Sequence, residues 1–170
     1  MPGPHRAGGR AIVNLELTIN GESYELAVAP HWTLLHVLRN QLGLPGTKEN
    51  CLEAECGVCT VLLDGKAVCA CILLAAQCRG REIVTIEGIG DPEHLHPLQQ
   101  AFIDCGAVQC GYCIPGMILT AKSFLDEHPG TVPDHDAIRE AISGTLCRCT
   151  GYQKIVDAIA MAATRMAQSG

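Results

Sequence analysis

From Leu15 to Val28 apolar and polar residues alternate, with Leu15, Leu17 and Ile19 before Asn20-Gly21 and Tyr24, Leu26 and Val28 after it. A period of two broken by Asn-Gly predicts a β-hairpin with a two-residue turn. Thr33 then precedes Leu34, Leu35, Leu38 and Leu42, with Gly43 behind them, a pattern that predicts a short helix with a hydroxyl N-cap and a glycine stop. A loop from Pro45 to Cys59 leads into Val61-Leu62-Leu63, the turn Asp64-Gly65, Val68 to Cys71, and later Ile83 to Ile86. These read as three further short strands. The first half is expected to be mostly sheet with one or two helices.

Beyond Gly88-Ile89-Gly90-Asp91-Pro92 the apolar period changes from two to near 3.6. Leu95, Leu98 and Phe102 mark one helix; Met117, Ile118, Ala121, Phe124 and Leu125 mark another, with Pro115 in its first turn and Pro129 past its end. Asp134 caps a third that runs through Ile138, Ala141 and Ile142, and Ile155, Val156, Ile159 and Ala163 form the stripe of a fourth. The fold class is therefore α+β: a β-rich unit over residues 11–90, then a four-helix bundle over 91–170, preceded by a Gly/Pro-rich tail at 1–10 that is expected to be disordered. The halves share no repeat, and units this small often need a metal or another staple to stay folded.

Composition narrows the function. Apolar residues make up 48% and charged residues 18% of the 170, and no apolar run reaches the length of a membrane span. A net charge of −6 removes the electrostatic basis for binding nucleic acid or an anionic membrane. The first ten residues, MPGPHRAGGR, are not followed by an apolar stretch of signal-peptide length, so the expected location is the cytoplasm. Eleven cysteines, an odd number, argue against a fully paired disulfide framework and for thiolates that serve metals or catalysis.

Eight of those cysteines fall into two quartets. Cys51, Cys56 and Cys59 give C-x4-C-x2-C, with Cys71 twelve positions on, the spacing of plant-type 2Fe-2S ferredoxins. Three thiolates on one tight loop can wrap a compact diiron group while the fourth arrives from a neighbouring strand. Such a loop should also aim backbone N–H groups at the sulfurs, and Gly57 lets the main chain approach closely. Cys110 and Cys113 lie just before the Pro115 helix, and Cys147 and Cys149 lie between the third and fourth helices. Helix N-termini favour thiolates there, but spacing alone allows this second quartet to be a four-cysteine zinc site as readily as an iron–sulfur site.

The segments GTKENCLEAECGVCTVLLDGKAVCAC, QCGYCIPGMIL and GTLCRCTGYQKIV closely resemble the iron–sulfur subunit or domain of the xanthine oxidase family of molybdenum hydroxylases. The resemblance spans nearly the whole chain after the tail. It implies a plant-ferredoxin-like β-grasp fold for the first unit, carrying a 2Fe-2S cluster on Cys51, Cys56, Cys59 and Cys71 on the flavin side. The helical unit would carry a second 2Fe-2S cluster on Cys110, Cys113, Cys147 and Cys149 on the molybdenum side. Gln109 and the edge of Cys149 would touch the pterin of a molybdopterin cofactor held by a large partner subunit, with FAD on a medium subunit. The whole is expected to assemble as a dimer of heterotrimers. The implied function is to relay electrons from the molybdopterin site to FAD in a dehydrogenase of the xanthine, aldehyde, carbon monoxide or N-heterocycle type. No catalytic residue is expected on this chain, which has no Walker loop or dinucleotide fingerprint and little room for further cofactor domains.

The sequence departs from the family pattern in four places. Asn50 and Ala54 stand where glycine is usual, Ile114 where threonine is usual and Thr145 where asparagine is usual. If the backbone at Ala54 needs a positive φ, alanine costs on the order of 1 kcal/mol there. Cys69, Cys78 and Cys105 read as small apolar residues, although Cys69, two positions from Cys71, should face the same way, which leaves a substitute-ligand role open to it. His94 and His96 lack a third ligand, Glu49, Glu53 and Glu55 read as an exposed rim, and Arg148 as either a surface residue or a charge partner. Two rival functions remain at this level: a free-standing ferredoxin-like carrier, and a zinc-stapled regulatory module.

Overall fold

The computed structural model of the chain describes residues 12–169, so the tail expected at 1–10 lies outside the described residues. Strands β1 (Val13–Ile19) and β2 (Glu22–Val28) pair antiparallel with Leu17 opposite Tyr24. Asn20 (φ 53°) and Gly21 (φ 80°) both take left-handed backbone between them, the conformation that the favoured two-residue hairpin turn requires. Leu15, Leu17 and Ile19 are buried while Asn14 and Glu16 face solvent.

Thr33 caps helix α1 (Leu34–His36), its Oγ1 accepting from the His36 N–H at 3.2 Å. The expected regular helix widens after one turn. Val37–Gln41 winds as a π-type turn in which the Leu42 N–H donates to the Val37 carbonyl at 3.1 Å. Leu34, Leu35, Val37 and Leu38 all stay in the core. Arg39 is left free to donate to the carbonyls of Pro45 at 3.0 Å and Thr47 at 2.8 Å, which ties down the start of the cysteine loop.

Strands β3 (Thr60–Leu63), β4 (Lys66–Cys69) and β5 (Glu82–Val84) complete a five-stranded sheet in the order β2-β1-β5-β3-β4. Among the described residues only the β1–β5 pairing is parallel. Strand β4 starts and ends earlier than the Val68–Cys71 run suggests. The tight Asp64-Gly65 turn (φ 49° and 80°) sets Leu63 against Lys66 and Thr60 against Cys69, leaving Cys71 just past the strand. All four β3 residues are buried. Val61 and Leu63 belong to the core shared with α1, and the opposite side of β3 is crossed by a helix from the second half, which explains a strand without alternation.

The second half holds α2 (Pro97–Asp104), α3 (Ile114–Asp126), α4 (His135–Ala141) and α5 (Gln153–Ser169). Helix α2 begins later than Leu95 because His96 caps it: His96 Nδ1 accepts from the Leu98 N–H at 3.2 Å, and Gln99 Oε1 accepts from the His96 N–H at 2.8 Å. A separate core gathers Phe102, Met117, Ile138, Ile155, Val156 and Ile159. Helix α2 lies along α5, and α3 touches α2, α4 and the sheet. Ser123 of α3 stitches the halves together, accepting from the Ala67 N–H and donating to the Gly65 carbonyl, both at 3.1 Å. Ile86 and Ile89 already pack on the helical core. Among the described residues no helix is long and apolar enough to cross a membrane.

Candidate metal centres

The loop between Pro45 and Cys59 wraps around its own first cysteine. The backbone N–H groups of Glu53, Cys56 and Glu55, with the Cys56 thiol, point at the Cys51 sulfur and hold its pKa down at about 7. The Ala54 N–H points at Cys71. These amides converge because Leu52 (φ 61°), Ala54 (φ 62°) and Gly57 (φ 66°) take left-handed backbone. Of the two departures from glycine, only Ala54 pays the left-handed penalty. Ala54→Gly is therefore expected to stabilise the protein by about 1 kcal/mol, a rise in Tm of roughly 2–4 °C. A scanning calorimetry trace with Tm unchanged or lowered would contradict this.

Cys56, Cys59 and Cys71 are buried and Cys51 half-buried. Cys51 meets Cys56, and Cys59 meets Cys71 as well as Cys69, so the four thiols of the first quartet lie as two neighbouring pairs with Cys69 beside the second. Burial pushes the Cys71 thiol up to about 11. The thiol of Cys69, against Cys59, followed by burial, pushes Cys59 upward.

The second quartet pairs in the same way. Cys110 and Cys149 lie with their sulfurs 3.5 Å apart, and Cys113 meets Cys147. The first pair is exposed and the second is inside: burial pushes Cys113 up to about 12. Burial also works to raise Cys147, but the Thr150 hydroxyl and the N–H groups of Cys149 and Thr150 outweigh it and lower the thiol. Gln109 is exposed next to Cys110, with exposed Tyr112 and Leu146 nearby in the same two loops.

The quartets are neighbours. Cys56, Val58 and Cys113 form one buried group against which Cys51, Ile114 and Cys147 pack. The Leu146 N–H donates to the Cys56 carbonyl at 2.9 Å, and the Tyr112 hydroxyl donates to the Glu49 carbonyl. Gly57 serves this junction as well as its own loop, since a Cβ there would stand 2.3 Å from the Gly144 carbonyl oxygen. Gly116, in the first turn of α3, would place a Cβ 2.7 Å from the Gly57 carbonyl. The signal that could have found it is a glycine just inside a helix, where alanine would be favoured by about 1 kcal/mol unless packing requires the smaller residue.

Does this donor set suit iron? Among the described residues no group of three or more His, Cys, Asp or Glu side chains is arranged to hold a single metal ion. Each quartet brings its four thiols together as two neighbouring pairs, with Cys69 as a further neighbour of Cys59, and two irons sharing four cysteine sulfurs require two such pairs. Buried thiols held neutral would be balanced as thiolates by a bound cation, and the loop amides supply hydrogen bonds to the sulfurs. The residues fit a 2Fe-2S group at each quartet.

Several of the remaining candidates are explained by packing or capping. Cys78 is buried with its Sγ 3.8 Å from the Leu74 carbonyl, and burial pushes its pKa up to about 11. Cys105 packs on Met161. Cys69 lies near Cys71, as its two-residue spacing suggests, with its thiol against Cys59 and its Sγ 4.0 Å from the Ala54 carbonyl. His94 sits 3.4 Å from Asp91 on the surface, and His96 is the α2 cap. Glu49, Glu53 and Glu55 are exposed, and it is the backbone N–H groups of Glu53 and Glu55, not their carboxylates, that face Cys51. Arg148 is exposed. Ile114 packs at the junction of the quartets, and Thr145 is buried with its hydroxyl 3.2 Å from that of Thr120.

Two family models together cover most of the chain: residues 17–83 match a 2Fe-2S iron-sulfur cluster binding domain and residues 85–160 a 2Fe-2S binding domain. The nicotinate dehydrogenase small FeS subunit of Eubacterium barkeri is 46% identical over 91% of this chain and 98% of its own. The xanthine dehydrogenase iron-sulfur-binding subunit of Escherichia coli O157:H7 is 44% identical over 86% and 92%. Among solved structures, quinoline 2-oxidoreductase from Pseudomonas putida 86 superposes with a TM-score of 0.88 at 43% identity, covering 94% of this chain and 98% of that one. Fold, paired thiols and matches define a protein with two 2Fe-2S domains, the first ferredoxin-like. The chain belongs to the iron–sulfur subunits of the xanthine oxidase family of molybdenum hydroxylases.

Proposed function

We propose that Cys51, Cys56, Cys59 and Cys71 hold one 2Fe-2S cluster and Cys110, Cys113, Cys147 and Cys149 the other. The chain is the electron-transfer subunit of a multi-subunit molybdenum hydroxylase, relaying electrons from a molybdopterin site to FAD, both on partner subunits. The observation that carries the ligand assignment is the pairing of eight thiols, two pairs in each half, with both quartets meeting at one buried junction. When bound, each cluster supplies a one-electron couple and no bond-making chemistry.

This chain's own residues set the conditions for that couple. Loop amides offer N–H donors to the sulfurs, Val58 and Ile114 keep water from the junction, and Gly57 and Gly116 let the two halves approach closely. The exposure of Cys110, Cys149 and Gln109 supports a reading in which the helical quartet faces the molybdenum-binding large subunit, with Gln109 and Cys149 against its pterin. The first quartet would then serve the FAD-binding medium subunit. The chain divides into a ferredoxin-like unit over 11–90 and a four-helix bundle over 91–170. The assembly is a cytoplasmic dimer of heterotrimers.

The free-standing carrier reading loses ground, because the relatives are named as subunits of larger enzymes. Even the aldehyde oxidoreductase of Megalodesulfovibrio gigas, 45% identical, contains the matching stretch as 16% of a longer chain. Metal analysis of the anaerobically purified complex tests the proposal. About four irons and about four labile sulfides per chain are expected, with two distinguishable EPR signals after dithionite reduction. Zinc in place of iron, or a single signal, would refute it.

A further inference from the structure

The second quartet has a feature that the first lacks: a side-chain hydroxyl aimed at a ligand sulfur. Thr150 Oγ1 lies 3.0 Å from Cys147 Sγ, and the Thr150 N–H donates to the same sulfur at 3.4 Å. The direction of the hydroxyl bond follows from Cys147 acting as a metal-bound thiolate, and the other partner of Thr150 is compatible with it. Tyr152 N–H donates to Thr150 Oγ1 at 3.3 Å, occupying a lone pair and leaving the Thr150 proton for the sulfur. A metal-bound thiolate has no proton to give, so only the hydroxyl can donate.

The backbone is bent to make this arrangement. Gly151 and Tyr152 both take left-handed conformations (φ 68° each), and for tyrosine that is a sparsely populated state. The bend carries the Tyr152 ring back over the loop, where its hydroxyl oxygen accepts from the Cys147 N–H at 2.7 Å. Cys147 is thereby fixed at its amide by Tyr152 and at its sulfur by Thr150. The Cys147 thiol is half-buried and beside buried Cys113, where electrostatic effects are weakly screened. Around the first quartet, by contrast, the hydrogen bonds that reach Cys51 come from backbone amides and another cysteine.

We propose that Thr150 is a positioning residue that sets the reduction potential of the helical-half cluster by donating its hydroxyl hydrogen bond to Cys147, with Tyr152 holding the loop in place. This rests on Cys147 being a ligand, as argued above. A hydrogen bond to a ligand sulfur favours the reduced state, which carries one more negative charge, and so raises the potential.

The test is an anaerobic, EPR-monitored dithionite titration of the purified complex with Thr150→Val, Thr150→Ala and Thr150→Ser. Thr150→Val and Thr150→Ala are expected to keep both EPR signals and to disfavour reduction of the helical-half cluster about tenfold, equivalent to 59 mV for a one-electron couple. The other signal should titrate as in wild type, and Thr150→Ser should restore the helical-half potential to within about twofold in the same equilibrium. Failure of the valine and alanine variants to hold the second cluster, with serine holding it at normal potential, also supports the hydroxyl. An unchanged potential in the valine or alanine variant, an equal shift of both signals, or a serine variant that behaves like alanine would overturn the proposal. Absence of a second signal in the wild-type complex would instead refute the ligand set.

Discussion

Gly57→Ala is expected to destabilise the protein on the order of 4 kcal/mol and to strip iron from both halves. Two effects add. Gly57 sits at φ 66°, where any side chain is strained by roughly 1–2 kcal/mol. The added methyl would also stand 2.3 Å from the Gly144 carbonyl oxygen and 2.9 Å from the Thr145 Cα. Those atoms are backbone and cannot swing aside as a flexible side chain would, so the halves must part. Gly65 provides the control. It has φ 80°, but a Cβ there meets nothing within 4 Å. Gly65→Ala should cost only about 1 kcal/mol and leave iron content unchanged. Thermal unfolding and metal analysis of both variants decide the matter: equal losses would mean that the junction between the quartets contributes nothing beyond local backbone strain.

Removing one ligand from each quartet is expected to separate the two halves functionally. Cys110→Ala should abolish one EPR signal, lower iron from about four to about two per chain, and stop substrate from reducing the flavin. Cys51→Ala should abolish the other signal while substrate still reduces the cluster that remains. The reasoning starts from exposure: Cys110 and Cys149 lie at the surface beside Gln109, whereas Cys113 and Cys147 lie inward, packed with Cys56 at the junction. An electron entering at the exposed pair would have to cross that junction to reach the first quartet. Iron near half of the wild-type value shows that the untouched half still folds, which matters because small metal-held units can lose structure along with their metal. Rapid-mixing spectroscopy with substrate is the readout. Identical behaviour of the two variants would refute the order of the relay.

Much of this was legible in the sequence because it rests on short-range patterns. The alternation around Asn20-Gly21 gives the first hairpin, Thr33 caps the first helix, and Asp134 caps α4 with its side chain accepting from the Ala137 N–H at 2.8 Å. These are choices the chain makes within a few residues. The cysteine spacing likewise points to the chemistry, because three thiols on one loop are close whatever the rest of the fold does. The run Val61-Leu62-Leu63 identifies a strand but not its second covering layer, which comes from α3 more than fifty residues later. The π-type widening at Val37–Gln41 was also out of reach, since it is stabilised by Arg39 reaching the carbonyls of Pro45 and Thr47.

By itself the sequence determined the family and pointed to two units and eight thiols in two quartets, because turn chemistry, periodicity and ligand spacing are local and survive any packing. Only the tertiary structure decided that Gly57 and Gly116 bring the two quartets together, that Ala54 and Tyr152 are held in left-handed backbone, and that Thr150 turns its hydroxyl to Cys147. Each of these depends on atoms distant in sequence or on a strained conformation that the surrounding contacts must enforce. A linear pattern of residue types does not record either one.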